Sequence, residues 1–357
     1  MFDFKKKAMF NKTKIVKCLN NSITDSLTTV FLDLVSDLCN HKCIFCSGKY
    51  SDEFKSSYFS KERLFSMLTE FEKLGVTSII VVGDGGESTL NPFFGDFIKK
   101  ALEMGFHMGL YTNGCTQLDP YIDFLYHFDF IRVSLDAYNS KMHQVVHGAP
   151  KGDFKKAINF IKLMKQKGYR NIGISYIVLN ENSKDLYKAV LLANELQVEY
   201  IEFKPYYLED YSLSFDYSYE LLTNLVKSTS NNISFSKVIF NNQYKQLLFD
   251  SKSDILHNNA QLCLSSRLRL VVSPKGCYFC SCYRGKNKFL IGNPQKQSIV
   301  DIWYGKKHEA LYNFKCDLKC PYFEQNEFLL SLKNKEELDK FVECDVQLDE
   351  KDQIFFL

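Results

Sequence analysis

A chain of 357 residues, 45% hydrophobic and 15% aromatic, has ample material for one large core or two moderate ones. Its 45 basic and 42 acidic side chains leave a net charge of +3, too mild to argue for a nucleic-acid partner. No apolar run approaches the ~20 residues of a membrane span, and the lysine-rich start lacks the apolar core of a signal peptide, so a soluble, cytoplasmic protein is expected.

Residues 1–27 hold a local basic excess (Lys5, Lys6, Lys7, Lys12, Lys14, Lys17) and read as a solvated N-terminal arm. From 28 to 207 the pattern alternates strand and helix. The first strand is Val30-Phe31-Leu32-Asp33-Leu34-Val35, and a helical pattern follows near 60–74. The second, Ser78-Ile79-Ile80-Val81-Val82, is the continuous apolar run of a buried parallel strand. It runs into Asp84-Gly85-Gly86-Glu87, and a helix begins after Asn91-Pro92. A third strand, 107–111, ends in Thr112-Asn113-Gly114, and a fourth, 130–135, ends in Asp136-Ala137. An amphipathic helix over 153–168, a strand from Ile172 to Leu179, a helix over 183–196 and a sixth strand, 200–203, complete the series. Residues 208–260 read as a connector with weak helical patterns at 219–228 and 241–249. Residues 261–325 are cysteine-rich, and the tail, 326–357, reads as helical. Six βα units imply parallel strands with right-handed crossovers. They are too few for an eight-stranded barrel, which leaves an open doubly wound sheet or a partial barrel.

The twelve cysteines are grouped: Cys39, Cys43 and Cys46 together, six from Cys263 to Cys320, and Cys18, Cys115 and Cys344 apart. Tight clusters in a chain without a signal peptide favour metal over disulfides. Cys39-Asn40-His41-Lys42-Cys43-Ile44-Phe45-Cys46 reads C-x3-C-x2-C, on the loop at a strand's carboxyl end. Three thiols can hold an iron–sulfur cluster but leave one iron open, since full ligation takes four. The alternatives are a zinc site with a distant fourth ligand, or three unrelated thiols.

This spacing, with the aromatic Phe45 before the last cysteine, resembles the radical S-adenosylmethionine (radical SAM) superfamily. The resemblance implies a partial (β/α)6 barrel and a 4Fe–4S cluster whose open iron chelates SAM. Reductive cleavage then releases a 5′-deoxyadenosyl radical that abstracts a hydrogen. It also implies an electron donor of the flavodoxin or ferredoxin type. Gly85-Gly86-Glu87 is similar to the family's turn for the SAM amino group, with Ser88 where proline is usual. A tight turn with a capping acid is the alternative, and the cysteine motif one strand earlier favours the SAM contact. Ser134 and Asp136 alternate and so face one way, which matches the family's ribose-binding strand end. Asn113 and the strand ending at Val178 are similar to further SAM contacts, Val178 against the adenine. Lys204 closes the sixth strand, either touching substrate or snorkelling outward. Cys115 is a weak hydrogen-donor candidate beside an ordinary buried cysteine.

Cys263, Cys277, Cys280, Cys282, Cys316 and Cys320 suffice for one four-thiolate cluster but not two, and C-x2-C with C-x3-C is also zinc-like. With the Ser273-Pro274-Lys275-Gly276 turn, Tyr283-Arg284-Gly285 and Ile299–Trp303, the segment resembles the SPASM or shorter twitch domain of radical SAM enzymes. The resemblance implies an auxiliary 4Fe–4S cluster on Cys263, Cys280, Cys316 and Cys320, with Cys282 as the alternate to Cys280. The expected reaction is oxidation of a sugar-like or aminocyclitol substrate. Only about 28 residues precede the first strand, too few for a domain that recognises a leader peptide. A peptide- or protein-modifying maturase and an epimerase are the alternatives among enzymes. A metal-binding scaffold or regulator is the alternative outside them.

Overall fold

In the computed structural model the described residues are 4–46, 57–83, 85–206, 237–240, 256–318, 320, 322–344 and 355–357. Seven parallel strands follow one another: β1 (Thr29–Asp33), β2 (Ser78–Val82), β3 (His107–Thr112), β4 (Phe130–Ser134), β5 (Ile172–Val178), β6 (Tyr200–Pro205) and β7 (Lys237–Phe240). Three more, β8 (Arg269–Ser273), β9 (Gly276–Tyr278) and β10 (Leu290–Gly292), come from the cysteine-rich segment. The sheet order is β10-β9-β8-β1-β2-β3-β4-β5-β6-β7. β8 runs parallel to β1, and β9 and β10 return antiparallel. The cysteine-rich segment therefore extends the same sheet, next to the strand that carries the first cysteine loop.

The helices include α1 (Phe4–Phe10), α2 (Lys12–Cys18), α3 (Lys61–Lys73), α4 (Phe94–Glu103), α5 (Ser140–His147), α6 (Asp153–Gln166), α7 (Leu186–Glu195), α8 (Ile299–Trp303), α9 (Phe323–Ser331) and α10 (Lys335–Glu343), with shorter helical segments such as Ile122–Leu125 and Lys306–Leu311 between. α3 shows how the sequence makes them. Ser60 caps its first turn by accepting from Arg63 N, and Leu64, Met67, Leu68 and Phe71 form the buried stripe at helical spacing. That stripe packs on one face of the sheet with Leu32, Val81, Leu110, Val133, Ile174 and Phe203, from alternate strand positions.

The other face is concave, and it carries a second apolar cluster: Ile80, Val82 and Phe130 with Phe355 and Phe356, flanked by Phe31 and Tyr111. Phe356 meets Phe130 edge-on at 5.0 Å, and Phe10 of α1 meets Phe355 at 5.0 Å. These aromatics close the interior at the amino ends of the strands. Each ring so buried contributes on the order of 2 kcal/mol.

Three readings from sequence need correction. The basic arm is not solvated: α1 and α2 bury Ala8, Ile15 and Cys18 against Leu264, Leu268 and Leu329. The connector holds a sheet strand, β7, while its helical patterns at 219–228 and 241–249 lie outside the described residues. Among the described residues the tail is helical in α9 and α10, while Phe355 and Phe356 pack in the sheet interior rather than in a helix.

Candidate metal centre

Cys39, Cys43 and Cys46 lie on the loop after β1, at the carboxyl ends of the parallel strands. The loop is fastened from two sides. Asp37 N donates to Gly85 O and Glu87 N donates to Leu38 O, both at 2.8 Å. Lys42 N and Ile44 N donate to His147 O and Val146 O at 2.9 and 3.0 Å, which satisfies the last carbonyls of α5. Both approaches need glycine. A Cβ on Gly86 would sit 2.8 Å from Val35 Cγ2 and 3.0 Å from Leu38 O, and one on Gly148 (φ +53) 2.5 Å from Lys42 O.

All three cysteines line one cavity of about 240 Å³, together with Phe45, Gly85, Gly86, Glu87, Asn113 and Ser134. None of the three is in a disulfide. Burial pushes the Cys43 thiol up, helped by Asp136 and by the other two cysteines, so a metal must displace its proton. Three thiols on one loop beside open volume fit a 4Fe–4S cluster held at three irons.

Glu87 is buried, and four donors reach its carboxylate. Oε1 accepts from Thr89 Oγ1 (2.7 Å), Thr112 Oγ1 (2.8 Å) and Thr89 N (3.3 Å), and Oε2 accepts from Asn113 N (2.8 Å). Burial raises its pKa, and these bonds oppose the rise. The carboxylate is thus fixed in the wall, with acceptor capacity left on Oε2. Asn113 is fixed too: its Nδ2 donates to Asn40 Oδ1 at 2.8 Å and its Oδ1 accepts from Cys115 N at 2.9 Å.

Three expected residues do not face this cavity. Asp136 takes φ +49, past the end of β4, so the period of two that aligns it with Ser134 no longer applies. Its carboxylate is fully buried, accepting from Ile177 N and lying 3.1 Å from His147 Nε2. Val178 belongs to the helix-facing core, and Ile177 lines the cavity in its place. Cys115 is also in that core, its thiol donating to Asn113 O and Asp153 O, both at 3.2 Å, which argues against a hydrogen-donor role.

The structure adds residues that sequence reading passed over. His147 Nδ1 lies 3.1 Å from Cys43 Sγ, and its ring meets Phe45 edge-on at 5.7 Å. His41, inside the cysteine motif, pairs with Asp153 at 2.9 Å. Tyr111 of β3 lines the cavity on the interior side. The available signal was His143 and His147, four apart on the helix that follows β4.

The second cysteine group also converges. Cys263, Cys280, Cys316 and Cys320 line one cavity, with Phe31 of β1 and Tyr322. Cys282 donates to Cys280 and Cys320, and its hydrogen bond, opposing burial, brings the Cys280 thiol down to about 7. Cys280 lines the cavity with the other three and Cys282 is not among its lining residues, which favours Cys280 as the ligand. Tyr283 Oη is 3.4 Å from Cys316 Sγ. Cys277 instead is fully buried in the core. Ion pairs tie this segment to the first loop, Arg284 to the buried Asp33 at 2.8 Å and Lys275 to Asp37 at 2.5 Å. A four-thiol set around one cavity fits a fully ligated cluster.

Residues 34–193 match the family model for the Radical SAM superfamily. Two curated proteins are similar over part of the chain. The S-adenosylmethionine-dependent nucleotide dehydratase of Flammeovirga pacifica is 28% identical over 158 residues, 41% of this chain and 54% of that protein. The sporulation killing factor maturation protein SkfB of Bacillus subtilis (strain 168) is 27% identical over 158 residues, 42% of this chain and 36% of that protein. The match thus spans about half of the first relative and about a third of the second. Among solved structures, Streptococcus suis SuiB bound to S-adenosylmethionine superposes with a TM-score of 0.63, covering 81% of this chain and 68% of its own at 15% identity. Histidine-tagged anSMEcpe with bound AdoMet gives 0.60, covering 92% and 98% at 18% identity. These two share the fold. Among the described residues no helix is long and apolar enough to cross a membrane.

Proposed function

From the radical SAM domain that residues 34–193 carry, we propose an enzyme that cleaves SAM reductively and oxidises a polar small molecule in the sheet's concave interior. The observation that carries it is the convergence of Cys39, Cys43, Cys46, the Gly85-Gly86-Glu87 turn and Ser134 on one cavity. Cys39, Cys43 and Cys46 would hold the catalytic 4Fe–4S cluster, and Cys263, Cys280, Cys316 and Cys320 the auxiliary one. When bound, the first supplies the electron that splits the SAM sulfonium into methionine and a hydrogen-abstracting 5′-deoxyadenosyl radical, and the second an electron-accepting centre.

The chain's own residues bind and orient. Glu87, already fixed by four donors, accepts from the SAM ammonium. Ser134 offers a hydroxyl to the ribose, and Ile177 an apolar surface to the adenine. Asp136 holds Ile177 through its backbone N–H and holds His147 on its other side, so it shapes the pocket from behind. Tyr111 lines this cavity and Phe31 the second one, and both pack against the same interior apolar cluster. A substrate beside Tyr111 would lie between the two centres.

A second proposal is peptide maturation. SuiB, whose fold this chain shares, has been solved bound to precursor peptide SuiA, and SkfB is named a maturation protein. The mass of the product separates the two: loss of two hydrogens from a small molecule, or a cross-linked peptide. One solvent deuteron gained would instead mark epimerisation. For the two-cluster assignment, the test is metal analysis after anaerobic reconstitution. About eight irons per chain are expected, and zinc without sulfide would contradict it.

A further inference from the structure

Three side chains that ligate metals meet beside the cysteine loop without belonging to either thiol set. They are His41 of the loop itself, Cys115 of the loop after β3 and His143 of α5. One ring nitrogen of each histidine and the Cys115 sulfur all lie within 4.8 Å of one another. His41 and Cys115 are 2% and 3% exposed, and His143 is wholly buried. A second grouping, His41 with Cys43 and His147, is as tight, but it takes a cysteine that the first cluster needs.

His143 is the residue that asks for an explanation. Neither of its ring nitrogens has a hydrogen-bond partner among the described residues. A neutral imidazole carries one donor and one acceptor, and burying both unpaired is costly. Its neighbours are rings: His147 at 4.5 Å, His41 edge-on at 5.4 Å and Phe154 at 5.7 Å. Packing alone would be served better by an apolar side chain. The other two members are already placed for ligation. Asp153 accepts from His41 Nε2 at 2.9 Å and is itself held by Lys156 at 2.8 Å and Asn40 at 3.4 Å. An outer carboxylate on one ring nitrogen is how metal-binding histidines are commonly oriented. The Cys115 thiol meets only the carbonyls of Asn113 and Asp153, both at 3.2 Å.

We propose that His41, Cys115 and His143 bind one zinc ion, distinct from both iron–sulfur clusters, as a structural clamp. Two imidazoles and a thiolate are the nitrogen and sulfur donors that Zn²⁺ takes. Binding releases the Cys115 thiol proton, both histidines bind neutral, and no electron moves. The ion gives His143 the partner it lacks. A fourth donor comes from a buried water or from Asp153, whose carbonyl oxygen is already 3.2 Å from the sulfur. With its ligands this deeply buried, the ion is closed to substrate. Its effect is mechanical: it fastens the loop that carries Cys39 and Cys43 to α5 and to the end of β3. The site stands on its own donors and not on the radical reading.

The test is metal content and zinc-edge X-ray absorption of full-length protein produced with zinc in the medium, reconstituted anaerobically with iron and sulfide, and dialysed against EDTA. Wild type should keep about one zinc per chain beside its iron. The zinc shell should mix one sulfur at about 2.3 Å with nitrogens at about 2.0–2.1 Å. Cys115→Ala and His143→Phe should each lose the zinc, keep their iron, and release that iron to a chelator severalfold faster than wild type. Zinc-replete wild type should melt at a higher temperature than zinc-depleted wild type, and Cys115→Ala should show no such difference. If neither variant folds, the wild-type spectrum decides alone. No zinc in wild type, an all-sulfur shell, or zinc fully retained by both variants would overturn the site. A mixed-shell zinc in protein that takes up no iron or sulfide would support the site and count against the cluster assignment alone.

Discussion

His147 bridges the middle cysteine of the first motif and the loop after β4: Nδ1 is 3.1 Å from Cys43 Sγ, and Nε2 is 3.2 Å from Leu135 O and 3.1 Å from Asp136 Oδ2. Outer contacts of this kind hold metal ligands in place and tune them. Replacing His147 with Leu should therefore weaken iron retention by about 10- to 100-fold while leaving all three cysteines in place. The rate of iron release to a chelator from reconstituted protein measures this. Equal rates for variant and wild type would make the contact incidental.

The fold should be acid-sensitive. Burial pushes His143 down to about 3 and His308 down to about 4, and it holds His41 below the ordinary range too. A depressed folded-state pKa means that the unfolded chain binds the proton first. The stability tied to these rings is complete above about 6.5 and is lost as pH falls below it. At pH 5.5 His143 and His308 each give up about 1 kcal/mol. Both nitrogens of His143 also lack a hydrogen-bond partner among the described residues. His143→Phe should flatten the fall in thermal midpoint of the metal-free protein between pH 7.5 and 5.5. A slope as steep as that of wild type would show that other groups govern it.

Neighbours on β5 should behave differently. Ile177 lines the cysteine cavity and Val178 lies in the helix-facing core. Ile177→Ala should weaken SAM binding by about 1–2 kcal/mol with little loss of stability. Val178→Ala should cost about 1–3 kcal/mol of stability with near-normal SAM affinity. Calorimetric titration with SAM and thermal melts of both variants decide it, and the reverse pattern would mean that β5 presents its other face.

In the second cysteine group the ligands and the bystander are distinguishable. Cys316→Ala and Cys280→Ala should each lose about four of about eight irons. Cys277→Ala, in the apolar core, should keep them all, and so should Cys282→Ala. Full iron in Cys280→Ala together with loss in Cys282→Ala would exchange the two assignments.

The sequence conveyed the parallel strands and the cysteine motif because both signals are local. β2 is one unbroken apolar run, and the three thiols fall within eight residues. What it hid has a physical reason in each case. β5 ends in two adjacent apolar residues, so composition at that end does not separate Ile177 from Val178, and only the alternation of Ile172, Ile174 and Tyr176 with Gly173 and Ser175 marks Val178 as core-facing. Asp136 looked aligned with Ser134 only while the strand was assumed to continue, and its positive φ ends that alignment. α1 and α2 span seven residues each, too short for a stripe to stand out among lysines. Phe355 and Phe356 fill the interior through contacts more than two hundred residues away along the chain, which no local pattern can announce.

The measurement closest to the central claim is 5′-deoxyadenosine formation by anaerobically reconstituted protein given SAM and dithionite. Wild type should form it, and Cys43→Ala, which removes one of the three cavity thiols, should form none. Formation undiminished in Cys43→Ala, or none in wild type carrying its full complement of iron and sulfide, would contradict the account.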